Sequence, residues 1–215
     1  MLQISDLSVE KSDRTILKGI SFTLNPGDRM ILSGRSGSGK STLIRSLLCF
    51  EPITAGEIRW RGEVIDSRNV RSYRRYFVYI AQKPPTFDGS VEAYLRLPAT
   101  FRNNCCEAPS EARIREALSR FGLGGFLLDQ PYASLSGGEQ QRITLIQGLL
   151  LDRPVLLLDE VTSSLDPANV DRVVDAILGD ESRIVIAVSH QERWRRSGVQ
   201  TKEIRDGGLV PKEDP

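Results

Sequence analysis

Gly34-Arg35-Ser36-Gly37-Ser38-Gly39-Lys40-Ser41 constrains this chain more than any other stretch. It fits the pattern G-x-x-x-x-G-K-[ST] and stands between a short apolar run, Arg29 to Ser33, and a segment from Lys40 to about Phe50. In that segment Leu43, Leu47 and Phe50 recur at helical spacing. Strand, glycine-rich loop and helix in that order build a cradle for phosphate. The glycines let the backbone curl with its N–H groups inward, and the helix adds the positive end of its dipole. Lys40 then reaches the β- and γ-phosphates, and the Ser41 hydroxyl is a ligand for Mg²⁺. Gly34, Ser36, Gly37, Gly39 and Thr42 complete the predicted phosphate-binding set. The plain alternative is a Gly/Ser-rich turn, but a chance match in a chain of this length is of order one in a hundred.

The rest of the chain reads as α/β. Leu2 to about Leu24 alternates as antiparallel strands and ends in the turn Asn25-Pro26-Gly27-Asp28. Glu57 to Trp60 and Tyr76 to Ile80 are further predicted strands. Ser90 to Leu97, Ser110 to Phe121, Ser136 to Leu151 and Asn169 to Leu178 are predicted helices, with 98–109 a loop. The unbroken apolar run Val155 to Leu158 is the pattern of a strand buried on both faces of a parallel sheet, and Arg183 to Val188 repeats the signal. Only Lys212 to Pro215 reads as a free tail.

Two acids, Asp159 and Glu160, close the first of those buried runs, so their side chains leave the strand end on opposite sides. Asp159 suits Mg²⁺ held through water, and Glu160 suits polarisation of an attacking water. A strand that simply ends at polar residues is the bland reading of this pair alone. His190, the one histidine, follows the next buried strand at the sheet edge where ligands gather, which points to a phosphate contact.

The segment Leu135-Ser136-Gly137-Gly138-Glu139-Gln140-Gln141-Arg142 resembles the signature motif of ATP-binding cassette (ABC) proteins. The other family elements follow in order: Gln82 for the Q-loop, Ser163-Ser164-Leu165-Asp166 for the D-loop, and His190 for the switch histidine. The resemblance implies a P-loop NTPase core with a mostly parallel sheet, an N-terminal antiparallel β subdomain and a small helical subdomain at about 88–150, all within one domain over 1–215. It further implies ATP hydrolysis with Mg²⁺, and a head-to-tail pair of cassettes in which Ser136, Gly137 and Gly138 of one cap the ATP of the other. By resemblance Gln82 contacts Mg²⁺ or the attacking water, Asp166 sits across the dimer seam and His190 holds the γ-phosphate. Ser136 at a helix N-terminus beside two glycines is in itself an anion-binding surface.

Lys83 to Val91 is similar to the segment after the Q-loop in transporter cassettes. Phe87, Val91 and Tyr94 are there either a groove for a helix of a membrane partner or ordinary core. Two departures stand out. No aromatic residue lies around Lys11-Ser12-Asp13-Arg14, where many family members stack one on adenine; Arg14 is either a substitute stacking surface or a solvated turn residue. Glu139 takes a position where Gln is frequent, which is not expected to abolish capping.

Composition selects among the family's branches. With 29 Lys+Arg against 28 Asp+Glu, no polybasic nucleic-acid binder is indicated, and no nucleic acid is expected as partner. Cys49, Cys105 and Cys106 form neither a secreted disulfide framework nor a zinc module, which points to a reducing cytosol. The longest apolar run, Ile184 to Val188, is too short to span a membrane. The stretch between Gln82 and Ser136 holds no coiled coil, unlike many soluble family members that act on nucleic acid or ribosomes, the alternative class. The expectation is therefore a homodimeric ATPase subunit on the cytoplasmic face of the membrane, driving a separate permease. The compact chain and the run Phe87 to Leu97 resemble a small bacterial subgroup assigned to iron export.

Overall fold

A computed structural model describes residues 1–12, 14–101 and 108–212. Asp13, the Cys105–Cys106 pair and the last three residues of the expected tail lie outside the described residues. The N-terminal strands β1 (Leu2–Lys11) and β2 (Arg14–Leu24) pair antiparallel, and β1 also pairs with β4 (Ala55–Trp60), which carries the two-residue β5 (Glu63–Val64). Leu2, Ile4, Leu7 and Val9 are all buried although the strict alternation breaks between Ile4 and Leu7. A bulge there, with Asp6 at φ 51 and its N–H given to the Ser21 hydroxyl, restores the phase so that one face stays apolar.

A six-stranded sheet forms the centre, in the order β10-β9-β3-β8-β7-β6. Strands β3 (Arg29–Ser33), β6 (Phe77–Ile80), β7 (Val155–Asp159), β8 (Ile184–Val188) and β9 (Val199–Arg205) run parallel, and β10 (Gly208–Pro211) returns antiparallel as a hairpin. Successive residues feed opposite layers. Val155 and Leu157 join the cluster under α1 (Lys40–Leu47) and the antiparallel sheet, whereas Leu156 and Leu158 join the cluster under the other helices. This double burial explains why β7 and β8 read as unbroken apolar runs.

After the short α2 (Val70–Arg74), helices α3 (Val91–Arg96), α4 (Glu111–Arg120), α5 (Gly137–Leu150) and α6 (Pro167–Leu178) cover the second face. Ser90, Ser110 and Ser136 accept N–H groups of the first turns of α3, α4 and α5, and Asp166 does so for α6. That cap starts α6 at Pro167, two residues before the start expected from the sequence at Asn169. Val91 and Tyr94 are core residues of this layer, 0% and 3% exposed, so the groove alternative fails for both. Phe87 is partly buried and borders a cavity of about 660 Å³ with Pro84, Pro85 and Tyr132.

Candidate nucleotide site

The glycine-rich loop leaves the C-terminal end of β3 and enters α1. Gly34, Gly37 and Gly39 have φ of 135, 77 and 105, a backbone that L side chains rarely adopt. A Cβ at Gly39 would lie 2.8 Å from a methyl of Leu17, and one at Gly34 would lie 2.7 Å from the Ile204 carbonyl oxygen. At Gly37 a Cβ would meet nothing within 4 Å, so the crown of the loop is open. Ser36 is exposed there, and Ser41 and Thr42 occupy the first turn of α1. Lys40 is only 6% exposed; its Nζ donates to the carbonyl oxygens of Gly34 at 2.8 Å and Arg35 at 2.9 Å. The ammonium is thus folded under the glycine-rich loop.

Asp159 ends β7 on the face covered by α1. Burial pushes its carboxyl above the usual carboxylate range; a hydrogen bond from Ser41 opposes the rise, Glu160 adds to it, and Lys40 and Tyr79 oppose it. Glu160 turns out of the strand at φ 50. Its Oε2 accepts from Gln82 Nε2 at 2.9 Å, and its Oε1 lies 3.9 Å from His190 Nε2. The ends of β6, β7 and β8 therefore bring Gln82, Glu160 and His190 together at one edge, beside the loop. The oxygen donors there, Ser41 Oγ, the Asp159 carboxylate and the Gln82 amide oxygen, are hard ligands of the kind Mg²⁺ takes, few enough to leave positions for water and phosphate. A water between Glu160 and a bound phosphate has a carboxylate available as proton acceptor.

Ser136, Gly137 and Gly138 lie elsewhere. Ser136 and Glu139 form a reciprocal cap: the Glu139 N–H donates to Ser136 Oγ at 3.4 Å, and Glu139 Oε2 accepts from the Ser136 N–H at 2.9 Å and its hydroxyl at 2.7 Å. These bonds hold the Glu139 carboxyl below its ordinary range. Gly138 lies against Leu165 and Ser164, whereas a Cβ at Gly137 meets nothing within 4 Å. Asp166 accepts from the N–H groups of Asn169 and Ala168, both at 3.1 Å, which lowers its carboxyl, with the Asn169 bonds leading.

Several contributors carried no signal at sequence level. Arg142, 9% exposed, donates to the Phe121 carbonyl and to Asn169 Oδ1, both at 2.9 Å, tying the signature helix to the cap of α6. The β9–β10 hairpin walls a cavity of about 770 Å³ along the outer side of Arg35 to Ser38. At the first turn, Lys11 pairs with Glu51 at 2.7 Å, and Arg14 is exposed.

A family model described as ABC transporter matches residues 17–163. The Escherichia coli protein named "Probable iron export ATP-binding protein FetA" is 34% identical over 195 residues, covering 89% of this chain and 85% of that protein. The transport/processing ATP-binding protein ComA of Streptococcus pneumoniae is 35% identical over 86% of this chain but only 28% of its own length. The mycobactin import ATP-binding/permease protein IrtB of Mycolicibacterium thermoresistibile is 32% identical over 97% of this chain and 37% of its own. Against these two, the chain spans about a third of the relative. Two solved structures share the fold: a bacterial Atm1-family ABC exporter with ATP bound, at TM-score 0.86 and 24% identity over 97% of this chain and 38% of that one, and a dimeric ATP-binding cassette bound to ADP and phosphate, at 0.85 and 22% over 99% and 98%. With the family model matching two thirds of its length and a relative 34% identical over nearly all of both chains, this chain belongs to the ABC transporter family and is an ATP-binding domain that hydrolyses ATP.

Proposed function

We propose that the chain works as a head-to-tail homodimer that drives a separate membrane permease, with iron export as the task. The carrying observation is that its two phosphate-binding surfaces are both open and do not meet: a Cβ at Gly37 and one at Gly137 each find no atom within 4 Å. A second copy, turned about a two-fold axis, supplies the missing lid to each cradle, since a self-complementary patch closes twice in one dimer. In that dimer Gly34, Ser36, Gly37, Gly39, Lys40 and Thr42 hold the phosphates, and Ser136 and the N-terminal N–H groups of Gly137 and Gly138 face the γ-phosphate across the seam. Ser41 and Asp159, with Gln82, hold Mg²⁺, which when bound neutralises phosphate charge. Glu160 takes the proton of the attacking water, His190 contacts the γ-phosphate and Asp166 stands at the seam.

A separate permease and iron are supported by FetA, of which this chain covers 85%, in contrast to its partial coverage of the combined ATP-binding/permease protein. The permease would hold the domain at the cytoplasmic face of the membrane. Among the described residues no helix is long and apolar enough to cross a membrane. The Glu160→Gln chain, loaded with ATP and Mg²⁺ and recovered from detergent-solubilised membranes, is expected to bring one polytopic membrane protein with it. Host cells lacking the chain are expected to accumulate iron, with rescue by the wild type and not by Glu160→Gln. Recovery of ribosomal or nucleic-acid partners alone overturns the transporter reading, and unchanged cellular iron overturns the cargo.

A further inference from the structure

Gln141 is the most deeply buried polar side chain of the signature helix, 0% exposed, yet neither its Oε1 nor its Nε2 has a hydrogen-bond partner among the described residues. Buried amides are nearly always paired, so an orphaned one asks what it is held for. Helix geometry places it. The chain passes from α5 to β7 through only Leu151 to Pro154, and β7 runs parallel to β6, so α5 runs back over the sheet antiparallel to β6. Near its C-terminus, Gly148 sits on β6, where a Cβ would lie 2.8 Å from both Val78 Cγ1 and Ile80 Cδ1. Gln141 is two turns nearer the N-terminus on the same side, a displacement of about 10 Å. At about 3.3 Å per residue along the strand, that is roughly three residues past the point between Val78 and Ile80. That extrapolation brings it to the strand end at Gln82 and Lys83.

The backbone at that place makes no bond to protein either; Gln82, Lys83, Pro85 and Thr86 are exposed, so its polar groups face water. Among the described residues no hydrogen bond is made by the backbone of Gln82 through Phe87; the segment is tethered at the site by the Gln82 side chain on Glu160. By this geometry a buried amide with a donor and an acceptor stands beside a strand end whose Gln82 and Lys83 N–H groups and carbonyls have no protein partner among the described residues. We propose that Gln141 is a positioning residue whose amide pairs with the backbone of the Gln82 segment when nucleotide fills the site, locking the signature helix to the loop that orients Glu160. The inference rests on the ATPase activity and adds a residue that touches neither nucleotide nor metal.

The test is amide hydrogen exchange of the segment from Gln82 to Phe87 in the full chain, with and without ATP and Mg²⁺, in wild type and Gln141→Leu, with ATP affinity measured alongside. Wild type is expected to gain protection in this segment on adding ATP, and Gln141→Leu to lose most of that gain. The same variant is expected to show kcat lower by about ten-fold with KM within about two-fold, the cost of one hydrogen bond made only in the loaded state. Its melting temperature without nucleotide is expected to be at least that of wild type, because leucine leaves no buried amide unpaired. Gln141→Met serves in its place if the leucine variant does not fold. Equal ATP-induced protection in variant and wild type overturns the proposal. A wild type that binds ATP without protecting this segment overturns it too and leaves the ATPase reading standing, whereas a wild type that binds no ATP overturns both.

Discussion

Gln82 and Glu160 meet side chain to side chain: the Gln82 amide nitrogen donates to Glu160 Oε2 at 2.9 Å, across the ends of two neighbouring parallel strands. The other carboxylate oxygen lies 3.9 Å from His190 Nε2, so Glu160 is flanked on both sides. Replacing Glu160 with Gln keeps the shape and removes the proposed proton acceptor. Turnover is expected to fall roughly 10²- to 10⁴-fold, the range for losing a general base, with ATP affinity kept. Phosphate release paired with a fluorescent-nucleotide titration checks this, and an unaltered rate removes Glu160 from the role.

Asp159 lends itself to a stability test. Its folded carboxyl titrates above the ordinary aspartate range, first because it is buried. For such an acid the folded state binds more protons than the unfolded one in the window between the two values. Stability therefore falls as pH rises through that window, and ionised Asp159 is a cost at pH 7. Asp159→Asn is expected to raise the melting temperature of the nucleotide-free chain at pH 7 and to flatten its slope just above the ordinary aspartate range. It is also expected to remove the Mg²⁺-dependent part of ATP binding. A lower melting temperature at pH 7 would contradict the burial argument.

What could be read in advance was local. The cradle needs glycine where φ is positive and the acids need a strand end, and both demands are written in contiguous residues, so Gly34, Gly39, Asp159 and Glu160 were legible. The buried strands β7 and β8 announced themselves because both faces are covered. The β9–β10 hairpin escaped, since its strands are only partly buried and mix charged with apolar residues, as in Thr201-Lys202-Glu203-Ile204-Arg205. The link from Arg142 to Asn169 was out of reach because it joins two helices distant in sequence. Phe87, Val91 and Tyr94 carry no sign of which faces outward, and packing against Tyr132 decided it for Tyr94.

Arg142 holds the signature helix by one bond to the Phe121 carbonyl at the end of α4 and one to Asn169 Oδ1 in the first turn of α6, and both acceptors lose that donor when it is removed. Arg142→Leu is expected to lower unfolding stability by about 2–3 kcal/mol, the range for buried hydrogen bonds to a charged group. Urea denaturation measures it. In a double-mutant cycle, Asn169→Ala is expected to cost much less in the Arg142→Leu background than in wild type, because the two share one bond. Full additivity argues against the link.

Glu139 spends its carboxylate on Ser136, which stabilises the helix start but places a negative charge on a surface proposed to receive phosphate. Because the Glu139 carboxyl is lowered, its contribution is present above the ordinary glutamate range and is lost as pH falls through the folded value. Glu139→Gln can keep the reciprocal cap, so the expected loss of stability is only about 0.5 kcal/mol, that of a helix-end charge. The ATP-dependent dimer is expected to form at lower nucleotide concentration, as read by light scattering across an ATP series. A weaker dimer would place Glu139 away from the phosphate.

Ser136 separates nucleotide binding from dimerisation. It is exposed, and its bonds go to Glu139 and not to the glycine-rich loop, so a bulky cation there is expected to leave Gly34, Lys40 and Ser41 untouched. Ser136→Arg also removes the hydroxyl that accepts from the Glu139 N–H, at a cost of about 1 kcal/mol for a lost helix cap, too little to unfold a domain of this size. The variant is expected to bind ATP as tightly as wild type while staying monomeric, and its hydrolysis is expected to drop to the level of an uncapped site. Sedimentation with saturating ATP, in the Glu160→Gln background to prevent turnover, distinguishes the forms. A stable ATP-dependent dimer with wild-type hydrolysis in the Ser136→Arg chain refutes the head-to-tail arrangement, because in that arrangement the guanidinium would stand where the partner's γ-phosphate must be received.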